Sequence, residues 1–358
     1  MRHALDDPCD AGPHHRAGLA ALGLRPGGGP GGAGEVVQVH ALGVVQAQRL
    51  DQGVQDAVGD ALEVAALQSG VVLDADSGEQ KAVGLTDFGG PEVLRVLDLP
   101  VPEAGPGQIR IRVRAAAVNP VDALVRRGIA HVAGIEPPYV PGMDAAGVVE
   151  AIGKDVDTDL QVGDRVMAVV VVSGTHGAYA EHIVVPAESV VRVPQGLSDA
   201  EAATLPMNSL TARMALDLLD LPAGATVSVT GAAGAVGGSA VQLAKADGYR
   251  VIADAAPKDE QLVKGLGADV VLPRGAEFPD LVRQEASGGV DGLIDTAGIA
   301  EQALHAVRDG GRAVSSSVAS ANTGERGIAT QNTFVPHYAR EHTCRRRPRP
   351  PFTGGHES

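Results

Sequence analysis

The chain has 358 residues, enough for two domains each with its own core, and a formal net charge of −15 at pH 7. That acidic balance gives no general attraction for nucleic acid or an anionic membrane, and no apolar run is long enough to span a bilayer or act as a secretory core, which predicts a cytoplasmic protein. The two cysteines, Cys9 and Cys344, stand near opposite ends and make neither a disulfide framework nor a CxxC zinc pair.

Residues 1–80 differ in kind from the rest of the chain. They contain no Lys, Ile, Phe, Tyr, Trp or Asn, and the run Gly27-Gly28-Gly29-Pro30-Gly31-Gly32 reads as a flexible loop. Val54 to Leu67 has the spacing of one weak amphipathic helix, but brings no aromatic residue to a core. The expectation is a mostly disordered extension. Its residue types are those of GC-rich codons, which points to a segment that is not naturally coding and to a true start at Lys81.

From Lys81 the chain reads as a folded protein. Ile109-Arg110-Ile111-Arg112-Val113-Arg114 alternates strictly, as a strand with one buried face does. Asn119-Pro120 has the form of a helix start, with Asn as N-cap and Pro at the first helical position. Val166 to Val172 is an unbroken apolar run suited to a buried strand, and short strands continue to about Pro194. Residues 81–200 are thus predicted to form a β-rich domain.

The period then changes. Ser198-Asp199-Ala200-Glu201 is a capping box, and Leu210, Met214, Leu218 and Leu221 are placed on one helical face. Strands at 226–230, 250–254, 269–272, 292–295 and 312–316 alternate with helices, two of which are expected to stop at Gly248 and Gly267. Such alternation implies a parallel, doubly wound α/β sheet over residues 201–343.

Thr230-Gly231-Ala232-Ala233-Gly234-Ala235-Val236-Gly237 joins the first of these strands to the next helix. Glycines there permit a tight turn and let backbone N–H groups approach a pyrophosphate at the positive end of a helix. Asp254 ends the following strand, twenty residues after Gly234, where an acid can bind the adenine ribose. A carboxylate at that point disfavours the 2′-phosphate of NADP(H), whereas Lys258 can neutralise it, so NAD(H) and NADP(H) both stay open. The alternative is an α/β fold with a glycine-rich turn and no nucleotide.

Short-chain dehydrogenases share this loop, but none of the four tyrosines has a Lys four residues later, and here the loop follows a long β-rich region. The ordered segments Phe88-Gly89-Gly90-Pro91-Glu92-Val93-Leu94, Ala117-Val118-Asn119-Pro120-Val121-Asp122, Pro141-Gly142-Met143-Asp144-Ala145-Ala146-Gly147, Val162-Gly163-Asp164-Arg165-Val166 and Gly177-Ala178-Tyr179-Ala180-Glu181 carry a different resemblance. Leu266-Gly267-Ala268-Asp269 and Asp291-Gly292-Leu293-Ile294-Asp295-Thr296-Ala297-Gly298 extend it to about Thr343. In these the chain resembles the medium-chain dehydrogenase/reductase superfamily, in its zinc-independent quinone oxidoreductase branch. The resemblance implies a GroES-like catalytic domain followed by a Rossmann domain. It implies no zinc, because Asn119 and Met143-Asp144 stand where zinc-dependent members carry Cys and His-Glu. His131, His176 and His182 fit no zinc spacing.

It further implies metal-free hydride transfer from NAD(P)H to a quinone or α,β-unsaturated carbonyl, with Asn119 facing nicotinamide and substrate, Thr211 helping to place the cofactor, and Gly231, Gly234, Ala235, Val236 and Gly237 holding the pyrophosphate. Members of the family are commonly homodimers, and the altered ends leave pairing open. Two departures stand out. Ala123-Leu124 replaces a Tyr often found there, so the proton donor must be another group or water. After Thr343 the polybasic, proline-rich run Cys344 to Pro351 cannot pack as a strand, which predicts a reading-frame change, a missing sheet edge and an incomplete substrate pocket. A catalytically weak nucleotide-binding protein is therefore the competing reading. A zinc alcohol dehydrogenase is a third, and requires zinc.

Overall fold

The computed structural model describes residues 78–130, 134–316 and 325–333. The expected extension with its Val54–Leu67 helix, His131, and the tail after Thr343 lie outside them. Among the described residues the first strand begins slightly before Lys81. Strand β1 (Glu79–Gly84) pairs antiparallel with β2 (Arg95–Pro100). The buried Gln80 side chain also accepts a hydrogen bond from His182 N–H at 2.7 Å.

The β-rich half is a five-stranded antiparallel sheet in the order β6-β3-β4-β5-β7. Its strands are β3 (Gln108–Ala116), β4 (Asp144–Ile152), β5 (Arg165–Val169), β6 (His182–Pro186) and β7 (Val190–Arg192). The alternation read in β3 holds, since Ile109 and Ile111 are fully buried and pack with Val149, Val166, Ile183 and Val185. Helix α1 (Pro120–Arg126) starts at Asn119. The apolar run at 166–172 makes a shorter strand than expected: β5 stops at Val169, and Val171 is half exposed.

Two helices follow, α2 (Asp199–Ala203) and α3 (Pro206–Leu219). The Ser198 capping box forms as expected: the Glu201 carboxylate accepts from Ser198 N–H at 2.8 Å, and the Ser198 hydroxyl accepts from Glu201 N–H at 3.2 Å. The predicted stripe on α3 is part of a wider buried surface: Met214 is buried, and Leu218 and Leu221 pack against the core. Leu210 and Leu218 are only partly buried, while Met207, Ala212, Met214, Ala215, Leu216 and Leu219 are buried. The helix lies between the two sheets and contacts both, so burial extends round more of its circumference than one amphipathic stripe covers.

The second sheet is parallel throughout, with β8 (Thr226–Thr230), β9 (Arg250–Ala255), β10 (Val270–Pro273), β11 (Val290–Asp295), β12 (Val307–Ser315) and β13 (Ala329–Asn332). The order is β10-β9-β8-β11-β12-β13, the arrangement of a dinucleotide-binding fold, with the order reversing between β8 and β11. Helices α4 (Ala235–Ala246), α5 (Glu260–Gly265), α6 (Phe278–Glu285) and α7 (Ala300–Ala303) alternate with the strands. Gly248 and Gly267 end α4 and α5 with φ of 83° and 102°, in line with their spacing. The sixth strand, β13, lies beyond the five expected. It pairs with β12 and forms the end of the sheet on that side among the described residues.

Candidate active site

The glycine loop sits at the point where the strand order reverses. Thr226–Thr230 is a buried, β-branched strand, and it ends at Gly231, which has φ of 67°. A Cβ at Gly231 would come 2.6 Å from Thr296 Oγ1, and one at Gly237 would come 2.2 Å from the Gly231 carbonyl oxygen. These two positions need glycine for close approach of helix to strand, Gly231 also for its left-handed backbone. Gly234 is the N-cap of α4 and has no side chain to bond the first helical turn. Among the described hydrogen bonds its own N–H donates to Gly231 at 2.7 Å, and the helix's first outward bond is Gly238 N–H to Gly234. Ala235, Val236 and Gly237 thus have N–H groups without an acceptor among the described residues, at the positive end of a twelve-residue helix. That is the arrangement a pyrophosphate requires.

Asp295 ties this point together. It is buried at the end of β11, where its Oδ1 accepts from Thr230 Oγ1 at 2.6 Å and its Oδ2 from Ser315 Oγ at 3.1 Å. Three neighbouring strand ends are locked by one carboxylate.

Asp254 is placed differently from a surface ribose ligand. It is 1% exposed; its Oδ1 accepts from the N–H of Ala232 in the glycine loop at 3.0 Å, and its Oδ2 lies 3.4 Å from Arg274 Nε. Much of its bonding capacity is therefore committed to shaping the loop. Lys258 is exposed on a short turn at 257–259, beyond the end of β9. Arg274, just after β10, escapes sequence reasoning; it is separated from the loop by a whole strand-helix-strand unit and has no local motif.

Asn119 belongs to a second cluster. Its backbone N–H donates to Asp122 Oδ2 at 2.8 Å, which closes the start of α1. Its side chain is turned to Asp144, with Nδ2 donating to Oδ2 at 2.9 Å. The other oxygen of Asp144 accepts from Met207 N–H, in the first turn of α3, at 2.7 Å. Asp122 also accepts from Gly142 N–H at 2.9 Å and from the Tyr179 hydroxyl at 3.1 Å. Asn119, Asp122 and Asp144 are all buried, Asp144 fully. Burial pushes the Asp144 carboxyl up to about 7 against its hydrogen bonds from Asn119 and Met207, with the Asp122 charge adding to the rise. Burial raises Asp122 as well, and it raises the Tyr179 hydroxyl well above its usual range, helped by the adjacent Asp122. Thr211 is buried one turn beyond Met207, to whose carbonyl its hydroxyl donates at 2.7 Å.

Asp144 thus links Asn119, on the antiparallel-sheet side, to the helix that carries Thr211. One sign of this is visible in the sequence: an acid opening a strand otherwise rich in Ala, Gly and Val. Among the described residues no three His, Cys, Asp or Glu side chains are grouped as a metal site. His182 instead lies 3.6 Å from Glu150. No helix among these residues is long and apolar enough to cross a membrane.

The pattern of the alcohol dehydrogenase GroES-like domain matches residues 105–195, and that described as zinc-binding dehydrogenase matches residues 235–339. The chloroplastic NADPH-dependent alkenal/one oxidoreductase of Arabidopsis thaliana is 33% identical over 265 residues, covering 72% of this chain and 67% of that protein. The quinone oxidoreductase of Sus scrofa is 34% identical over 219 residues, 60% of this chain and 65% of its own length. A solved alcohol dehydrogenase superfamily protein from Novosphingobium aromaticivorans superposes with a TM-score of 0.64 at 32% identity, over 73% of this chain and 80% of that one. Some curated relatives are matched over less of their length, down to 52%.

Proposed function

Because this chain belongs to the alcohol dehydrogenase superfamily of medium-chain dehydrogenases and reductases, in its quinone oxidoreductase-like branch, we propose that it is an NAD(P)H-dependent reductase of quinones or α,β-unsaturated carbonyls. The observation that carries this reading is the glycine loop: unpartnered first-turn N–H groups at the reversal point of a dinucleotide-type sheet. The cradle fits a pyrophosphate, since side chains are excluded at Gly231 and Gly237 by direct overlap with backbone or Thr296.

When bound, reduced nicotinamide supplies the hydride, which a conjugated acceptor takes up at its far carbon while charge moves to its carbonyl oxygen. The N–H groups of Ala235, Val236 and Gly237 hold the diphosphate, and Asp254 fixes the loop through Ala232. Thr211, buried on α3, helps to place the cofactor, and Asn119 presents its carboxamide to the substrate carbonyl. The division near residue 200 into a catalytic and a cofactor domain belongs to the same reading. So does action without a metal: by the resemblance, Asn119 and Met143 stand where zinc enzymes carry a Cys and a His. A conjugated acceptor does not require a Lewis acid, because its own π system delocalises the arriving charge.

Steady-state oxidation of NADPH and of NADH with a panel of small quinones and enones tests the proposal. Turnover of at least one class is expected. Tight cofactor binding without turnover of any acceptor would identify a nucleotide-binding protein instead, and stoichiometric zinc in the active protein would overturn the metal-free chemistry.

A further inference from the structure

Asp144 is a buried acid with no cation among the described groups that act on it. Its oxygens accept from Met207 N–H and Asn119 Nδ2. The charged group felt from α1 is Asp122, itself bonded to the Tyr179 hydroxyl. From the neighbouring strand β5 it is Val169 that stands opposite, and from α3 the contact is a backbone N–H. Such a site favours a neutral carboxyl over a carboxylate.

A carboxamide has a donor end and an acceptor end, and the two are interchangeable by turning it over. With Asp144 ionised, both of its oxygens only accept. Asn119 must then offer Nδ2, which leaves its Oδ1 at the opposite end. With a proton on Asp144 Oδ2, the acid donates, Asn119 accepts through Oδ1, and Nδ2 moves to the opposite end. Met207 N–H occupies the other carboxyl oxygen in both states, so the proton belongs on the side of Asn119.

We propose that Asp144 is a positioning residue whose proton decides which end of the Asn119 carboxamide is offered to the substrate carbonyl. This rests on the reductase reading above. Charge developing on a carbonyl oxygen calls for a donor, so the form with Asp144 protonated is the productive one. No bond to the Asp144 proton breaks. The hydride and its electron pair come from reduced nicotinamide and end as a new C–H bond, with the displaced π pair on the carbonyl oxygen. The Asn119 N–H only hydrogen-bonds that oxygen, and the proton completing the product comes from water.

The full chain has four asparagines, so selective ¹⁵N-asparagine labelling gives four side-chain amide pairs, with that of Asn119 identified by its loss in Asn119→Ser. The Asn119 pair is expected to shift with a midpoint at about pH 7 and to stay fixed in Asp144→Asn, whose amide can accept from Met207 and donate to Asn119 without titrating. In turnover, kcat is expected to fall about tenfold per pH unit above that midpoint, while KM for the cofactor holds and the fall disappears in Asp144→Asn. An Asn119 amide that does not move between about pH 5.5 and 8.5 overturns the proposal. So does a midpoint that survives in Asp144→Asn, since another group, Asp122 first, would then be titrating. If no acceptor is turned over, the reductase reading fails while the amide titration still decides the role of Asp144. If Asp144→Asn does not fold, the unaltered protein's titration decides it.

Discussion

The glycine loop and the Asn119 cluster are built by opposite means. The loop is made of backbone: of its eight consecutive residues three are glycines, and at Gly231 and Gly237 a Cβ would strike its neighbours. The cluster is made of side chains drawn from residues 119, 122, 144 and 179 and joined to the backbone of 207. A local device fails locally when altered and changes mainly binding. A device assembled from several separate stretches of chain transmits each change to its neighbours, so it is expected to alter rate, pH dependence and stability together.

The largest effect is expected at the loop. In Gly237→Val the new side chain must displace the Gly231 carbonyl, since even a Cβ would lie 2.2 Å from it. Overpacking of this kind costs roughly 1–3 kcal/mol. Moving the loop should also weaken NADPH binding by about a hundredfold or more, comparable to about 3 kcal/mol of lost pyrophosphate contacts. Fluorescence titration with NADPH measures it, and near-normal affinity would mean that the pyrophosphate is held elsewhere.

Asn119→Ala sharpens the contrast. If Asn119 is the donor to the developing oxyanion, as proposed, its loss is expected to lower kcat by about a hundredfold while cofactor affinity changes little. An equal loss in both would show that the two regions act as one. This substitution also leaves Asp144 Oδ2 without the Asn119 amide, so a lower thermal midpoint is expected alongside the rate effect.

The cluster has a pH signature the loop lacks. Asp144 is raised in the folded chain from 3.8 to about 7, so folding favours its protonated form. Its contribution to stability is whole below the unfolded value and is lost as pH rises through the folded one. Thermal midpoints are therefore expected to decline from about pH 4 toward neutrality in the unaltered protein, and to decline less in Asp144→Asn. Parallel curves for the two proteins would remove Asp144 as the source.

The same contrast explains how much is legible in sequence. The loop, the Ser198 capping box, and the helix ends at Gly248 and Gly267 can be read because each is specified within a few residues. Strand β13 cannot, because Ala329-Thr330-Gln331-Asn332 lies at an edge and is largely exposed, with no apolar alternation to reveal it. The α3 stripe comes out too narrow because that helix is buried from two sides. Asp122 is visible only as part of a family segment, and Asp144 only as that and as an acid opening an apolar strand. An acid in sequence is by default a surface residue, and only the fold shows that these two are enclosed.

Cofactor choice carries the smallest expected effect, and it lies where the two kinds of construction meet. In the sequence Asp254 stands as a bar to a 2′-phosphate, yet its carboxylate is buried against Ala232 N–H and faces Arg274. A charge so engaged repels an incoming phosphate less than a free one does, since part of its field ends on the guanidinium. The side chain of Arg274 is half exposed and Lys258 stands in solvent, so both can offer positive charge near the edge of β9. Exposed charges of this kind contribute up to about 1 kcal/mol and are screened by salt. Lys258→Ala is therefore expected to raise KM for NADPH about threefold, to leave KM for NADH unchanged, and to lose its effect at high ionic strength. Equal KM changes for both cofactors would place Lys258 outside the phosphate's reach. The discrimination would then fall to Arg274, held in place by the same carboxylate that in sequence looks like an obstacle.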